Sequence, residues 1–157
     1  MSGADKDAEH GEQDERTDGH AAPEPGQVVV PEPFLVLIAE DEEPIAEAIA
    51  LLIADCGYTP LTASNGREAL ELARQRRPAL VITDLMMPYM DGDELIAALR
   101  SDAVKAGVLP SPTILLSAAG LQRMRTSKAD ALLPKPFDLD DLEALLRRFL
   151  GPPPARP

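Results

Sequence analysis

The sequence predicts an α/β protein, a doubly wound five-stranded parallel sheet covered by helices on both faces. Short apolar runs alternate along the chain with stretches whose apolar residues recur every 3.6 positions. The runs are continuous, as they are in strands buried on both faces. Carboxylates, a hydroxyl and a lysine follow different runs at their C-terminal ends, which is where an open sheet of this kind places its chemistry.

Each element has a local reason. Phe34 to Ala39 is the first strand, and Pro44 lies near the start of a helix that carries Ile45, Ile49, Leu52 and Ile53 on one face before Gly57 ends it. Tyr58 to Ala63 is a weaker strand, broken by Pro60 and so placed near an edge. Ser64 is the expected cap of the second helix, which turns Ala69, Leu70 and Ala73 inward and ends in Arg74, Arg76 and Arg77. Ala79 to Thr83 is the third strand, and Leu95, Ile96 and Leu99 mark the third helix. Thr113 to Leu116 and Ala131 to Leu133 are the fourth and fifth strands, with only a short helix or turn, Gly120 to Lys128, between them. Asp138 is positioned to cap a last helix bearing Leu139, Leu142, Leu146 and Phe149. Right-handed crossovers between such strands make the sheet parallel.

Composition sets the outer bounds. A chain of 157 residues affords one domain with extensions, and an apolar share of 45% with 3% aromatic residues makes its core aliphatic. The 27 acidic and 15 basic residues give a net charge of −12, which repels nucleic acid and anionic membranes and argues against both as partners. Cys56 is the only cysteine, so no internal disulfide can form; it reads as a small core residue in a reducing compartment. The N-terminus has no secretory pattern, and no apolar stretch is long enough to span a bilayer. A soluble, cytoplasmic protein is expected. Residues 1–33 hold nine acids against Lys6 and Arg16, with no buried-face periodicity, and are expected to form a disordered acidic tail containing His10 and His20. The ordered domain is expected over 34–150, followed by the proline-rich end 151–157.

Parallel strands point the same way, so Glu40, Asp41, Asp84, Ser117 and Lys135 fall on one edge of the sheet. Carboxylates gathered so closely repel one another unless a cation sits among them. Hard oxygen ligands and incomplete coordination by the protein favour Mg²⁺. There is no Cys/His ligand set for zinc. An aspartate beside a divalent ion is a competent nucleophile toward phosphorus, with Ser117 and Lys135 able to donate to the transferred oxygens. Phosphoryl transfer onto Asp84 is the expected chemistry. Glu42 and Glu43 need no such role, because acids in a first helical turn are favourable by themselves. Met86, Met87 and Met90 read as packing and loop residues.

Four segments carry a family resemblance: Leu37-Ile38-Ala39-Glu40-Asp41-Glu42, the stretch Ile82 to Gly92 with its Asp84-Leu85-Met86-Met87-Pro88, Leu115-Leu116-Ser117-Ala118, and Leu133-Pro134-Lys135-Pro136-Phe137. In this order and at these strand ends, over residues 34–150, the chain resembles a response-regulator receiver domain. The resemblance implies a flavodoxin-like sheet of strand order 2-1-3-4-5. It implies that Asp84 accepts phosphate from a histidine kinase or a histidine phosphotransfer protein, and that Asp41, Asp84 and the Met86 carbonyl bind Mg²⁺ with help from Glu40 through water. Ser117 would bond the phosphoryl group and switch, Lys135 would pair with its charge, and the peptide before Pro136 would be cis.

Two departures stand out. Leu132 occupies a fifth-strand position where the family usually has an aromatic, and the stretch from Ser117 to Lys135 is short by about one helical turn, so a stunted fourth helix is expected. Met86 and Ala119, at the positions that tune acyl-phosphate lifetime in the family, offer neither carboxylate nor amide to orient water, and slow self-dephosphorylation follows. The chain reads as a stand-alone receiver that signals to an unnamed protein target or along a relay. A phosphorylation-independent interaction module on the same fold is the alternative. A haloacid-dehalogenase-type phosphatase would want a second acid two residues after the nucleophile, where Met86 stands.

Overall fold

The computed structural model describes residues 32–118 and 126–153. The tail 1–31, the segment 119–125 with Ala119 and most of the stretch expected to form a stunted fourth helix, and residues 154–157 lie outside the described residues. Five parallel strands, β1 (Glu32–Ala39), β2 (Thr59–Ala63), β3 (Pro78–Asp84), β4 (Thr113–Ser117) and β5 (Ala131–Pro134), form one sheet in the order β2-β1-β3-β4-β5. Among the described residues four helices accompany them: α1 (Glu43–Asp55), α2 (Gly66–Arg76), α3 (Gly92–Ala106) and α4 (Leu139–Leu150). This is the doubly wound order in which the sheet grows both ways from its first strand.

The alternation of side chains along each strand sorts the core into two layers. On one face Val36, Ile38, Leu80, Ile82, Ile114 and Leu116 pack with Ile49 and Ile53 of α1 and Leu142 and Leu146 of α4. On the other, Leu37, Ala39 and Val81 meet Ala69, Leu70 and Ala73 of α2 and Leu95 of α3. Because neighbouring residues of β1 and β3 serve opposite layers, Leu35 to Ala39 and Leu80 to Ile82 are apolar at every position and buried. Each buried leucine or isoleucine contributes about 1.5–3 kcal/mol through removal of its apolar surface from water.

The structure corrects several sequence boundaries. The first strand begins at Glu32; its pairing with β3 is irregular between Glu32 and Val36, and Phe34 adopts a positive φ of 69°, so the apolar run alone understated its length. Tyr58 precedes β2, and its hydroxyl donates to the Gly151 carbonyl at 2.6 Å. Pro60 does lie on an edge strand, since β2 pairs only with β1. The second helix is capped by Asn65 rather than Ser64. The Asn65 side chain accepts from the Glu68 amide at 2.9 Å, and Glu68 reaches back to accept from the Ser64 amide and hydroxyl at 3.0 and 2.8 Å. Asp138 occupies the N-cap position of α4 without a side-chain capping bond.

Two glycines fix how the helices seat beside the C-terminal edge. A Cβ on Gly92 would lie 2.4 Å from the Asp84 carbonyl oxygen, and one on Gly66 would lie 2.4 Å from that of Met90. The backbone connecting β3 to α3 therefore runs in contact with its neighbours, and no larger residue fits at either point.

Candidate functional site

Glu40, Asp41, Asp84, Ser117 and Lys135 come to the C-terminal edge because each follows or ends a parallel strand in register. Ala39 pairs with Thr83, Asp84 with Leu116, and Ser117 with Pro134. The Lys135 amide extends this pairing by donating to the Ser117 carbonyl at 2.8 Å. Carboxylate oxygens of Glu40, Asp41 and Asp84 lie within 4.8 Å of one another. Glu40 and Asp84 are buried, at 2% and 8% exposure, whereas Asp41 is exposed at the rim. The cleft above them is lined by Asp41, Asp84, Met86, Ala118 and Lys135, with Glu42 of the β1–α1 connection and Ile45 of α1.

Lys135 is the cation of this cluster. Its Nζ lies 3.2 Å from Glu40 Oε2 and 3.3 Å from Asp84 Oδ2, and its peptide bond to Pro136 is cis. The other Asp84 oxygen, Oδ1, accepts from the Leu85 amide at 2.8 Å, so the carboxylate is held from two sides. The Glu42 amide donates to Glu40 Oε1 at 3.2 Å. Burial pushes the Glu40 carboxyl above the usual carboxylate range and Asp84 adds to this, while the Glu42 amide and Lys135 pull it partly back. For Lys135, burial lowers the ammonium pKa, but the Asp84 and Glu40 carboxylates more than offset that and leave it raised. The lysine therefore stays charged at neutral pH. Ser117 is buried at the end of β4, and Met86 projects into solvent at 75% exposure.

Three carboxyl groups and one ammonium share this small volume, and a divalent cation would offset the excess of acid. The donors are all oxygens, and the cleft is open on one side, which suits a hard ion that keeps waters and shares a phosphate oxygen. Among the described residues this is the one group of three or more His, Cys, Asp or Glu side chains close enough to hold a metal. The Leu85 and Glu42 amides were missed in the sequence, where a backbone donor leaves no residue-type signal. Their only trace is position, one and two residues after the acids they serve.

The fold and this edge together define a flavodoxin-like domain with an acidic, lysine-bearing cleft at the carboxyl ends of its strands. Residues 36–147 match the family model of the response regulator receiver domain, and the chain belongs to that family. It is 36% identical over 125 residues to the response regulator Rre1 of Synechocystis, covering 76% of this chain and 53% of that one. It is 35% identical over 121 residues to the response regulator MprA of Mycolicibacterium vanbaalenii, covering 75% and 51%. The chain thus spans about half the length of the curated relatives it matches. Among solved structures, the chemotaxis response regulator CheY4 of Vibrio cholerae superimposes with a TM-score of 0.66 at 30% identity, over 76% of this chain and 100% of that one. The receiver domain of a signal transduction histidine kinase from Syntrophus aciditrophicus gives 0.67 at 30% identity, over 74% and 89%. The domain is therefore a signalling module of two-component systems, whose receivers engage histidine kinases or phosphotransfer proteins and bind Mg²⁺ in an acidic pocket. No helix among the described residues is long and apolar enough to cross a membrane.

Proposed function

We propose that Asp84 is the phosphoacceptor, taking a phosphoryl group from a phosphohistidine on a kinase or phosphotransfer partner. The observation that carries this reading is the position of the Asp84 carboxylate, buried between Glu40, Asp41 and the Lys135 ammonium at the mouth of an open cleft. Asp41, Asp84 and the Met86 carbonyl would hold Mg²⁺, with Glu40 assisting through water; the ion supplies charge neutralisation on the phosphoryl oxygens.

The chain's own groups do the rest. One Asp84 oxygen attacks phosphorus as the bond from phosphorus to the histidine nitrogen breaks; the electron pair leaves with the imidazole, and an acyl phosphate forms. The Leu85 amide on Oδ1 orients the carboxylate, so Oδ2 is the oxygen left to attack. Lys135 turns from the carboxylate toward the phosphoryl oxygens, an exchange of one anionic partner for another that keeps the ammonium paired. Ser117, at the end of the neighbouring strand, donates its hydroxyl to the same group and links its presence to β4. The phosphorylated domain then signals by docking to a protein target or by passing phosphate along a relay.

Phosphotransfer from a small-molecule phosphodonor tests the reading. Wild-type protein becomes labelled with Mg²⁺ and loses the label when EDTA is present from the start. Labelling that ignores chelation overturns the proposed ion site. The lifetime follows from the same geometry: Met86 gives no group that orients water, so hydrolysis is slow. Met86→Asn places an amide at this exposed position and is expected to shorten the half-life of the label; an unchanged half-life discards that part of the account.

A further inference from the structure

Strand β3 is apolar and buried from Leu80 to Ile82 and then, directly before Asp84, places a threonine, Thr83, at 0% exposure. Its Cα pairs with those of Ala39 and Leu115, two buried apolar residues of the neighbouring strands. Packing gives no reason for a hydroxyl at this point. A valine would fill nearly the same volume, is equally at home in a strand, and would bring no polar group out of water.

The Thr83 hydroxyl donates to the Asp84 carbonyl oxygen at 2.9 Å. That carbonyl shares its peptide with the Leu85 amide, which donates to the Leu116 carbonyl at 2.9 Å and to Asp84 Oδ1 at 2.8 Å. The peptide is tied at both ends. Because a peptide unit is planar, its C=O and N–H turn together, and a bond that fixes the oxygen also fixes the direction of the N–H. Gly92 closes the space beside the same oxygen, since a Cβ there would lie 2.4 Å from it. The tie reaches the carboxylate through the Leu85 N–H: with Oδ1 held, Oδ2 faces Lys135 Nζ at 3.3 Å.

We infer that Thr83 is a positioning residue for the phosphoacceptor: its hydroxyl fixes the Asp84–Leu85 peptide, so that the Leu85 amide holds Asp84 Oδ1 and leaves Oδ2 facing the cleft. The inference rests on the reading of Asp84 as the phosphoacceptor and adds to it a side chain that acts only through the backbone. Without the hydroxyl the peptide is free to tilt, and the carboxylate spends less of its time in the orientation from which it attacks. The methyl group of Thr83 has a separate task, which is to fill the layer between Ala39 and Leu115. Rate and stability therefore depend on different atoms of one side chain.

The test compares, in the full chain, Thr83→Val, which deletes the hydroxyl at nearly constant volume, with Thr83→Ser, which keeps it and deletes the methyl group. The rate at which acetyl phosphate labels Asp84 with Mg²⁺ present is expected to fall about ten-fold in Thr83→Val, the scale of one hydrogen bond. In Thr83→Ser the rate is expected to stay close to that of wild type although the denaturation midpoint falls. Thr83→Ala set against Thr83→Ser repeats the hydroxyl comparison at smaller volume, so the result does not hang on one variant folding. The Leu85 amide resonance of ¹⁵N-labelled protein, recorded without Mg²⁺ or phosphodonor, is expected to move in Thr83→Val and to stay near its wild-type position in Thr83→Ser. A Thr83→Val rate close to wild type, or a Thr83→Ser rate as low as that of Thr83→Val, overturns the inference and leaves Asp84 as the phosphoacceptor. A wild-type chain that takes no label at residue 84 overturns the phosphoacceptor reading, and this inference with it.

Discussion

The two ends of the sheet carry opposite charge arrangements, and the polarity of a parallel sheet explains why. At the C-terminal edge Glu40, Asp41 and Asp84 gather around Lys135, two of them buried. At the N-terminal edge the helices end, and Arg74, Arg77 and Lys105 sit where helix C-termini present unpaired carbonyls. Cations there are stabilised by the helix itself. The acids at the opposite edge gain less from local structure: Glu40 is raised by burial and by Asp84, so ionising it costs free energy in the fold. A cluster held against its own repulsion at one end, with a self-consistent charge pattern at the other, separates the end arranged for chemistry from the end arranged for stability.

That contrast breaks most sharply at Lys135. Lys135→Met keeps the stem and deletes the ammonium, and phosphorylation of Asp84 is expected to slow by about 100-fold, the scale of losing one preorganised donor to a developing charge. A rate within a few-fold of wild type would remove the lysine from the chemistry. The core and the N-terminal edge of the sheet are expected to be unaffected, as judged by thermal unfolding and by the amide spectrum of α3.

Smaller effects sharpen the other side. Asn65→Ala removes the cap of α2 and should cost about 1 kcal/mol in denaturant unfolding, while Ser64→Ala should cost less because the Ser64 amide can still donate to Glu68. The reverse order would restore Ser64 as the cap. Arg74→Ala breaks a largely exposed pair with Asp102 and is expected to cost at most about 1 kcal/mol, less in high salt, with phosphorylation unchanged. A coupled loss of phosphorylation would contradict the separation of the two ends.

Much of this was legible in the sequence for a physical reason. Strands buried on both faces must be apolar at every position, so Leu35 to Ala39 and Leu80 to Ile82 announce themselves as runs. The residue that follows each run then inherits a place on the sheet edge, which is how Asp84 and Lys135 are both assigned to one edge by sequence; their 3.3 Å contact is a finding of the structure. Legibility fails where neighbours compete or where the signal is tertiary. Ser64 and Asn65 are both good caps, and only the spacing to Glu68 separates them. The extension of β1 to Glu32 passes through a positive-φ phenylalanine that no hydrophobic pattern encodes. The cations of the N-terminal edge, Arg74 and Lys105, are drawn from different helices, each reading locally as an ordinary helix-end cation.

The central claim is that one carboxylate at the C-terminal edge, Asp84, takes the phosphoryl group. Folded protein with Mg²⁺ and a reactive phosphodonor, digested and mapped by mass spectrometry, is the most direct measurement. The account predicts a single hydroxylamine-labile phosphoryl modification on the peptide containing Asp84, absent from the Asp84→Asn variant. An unmodified wild-type chain, or equal modification of the variant, would contradict it.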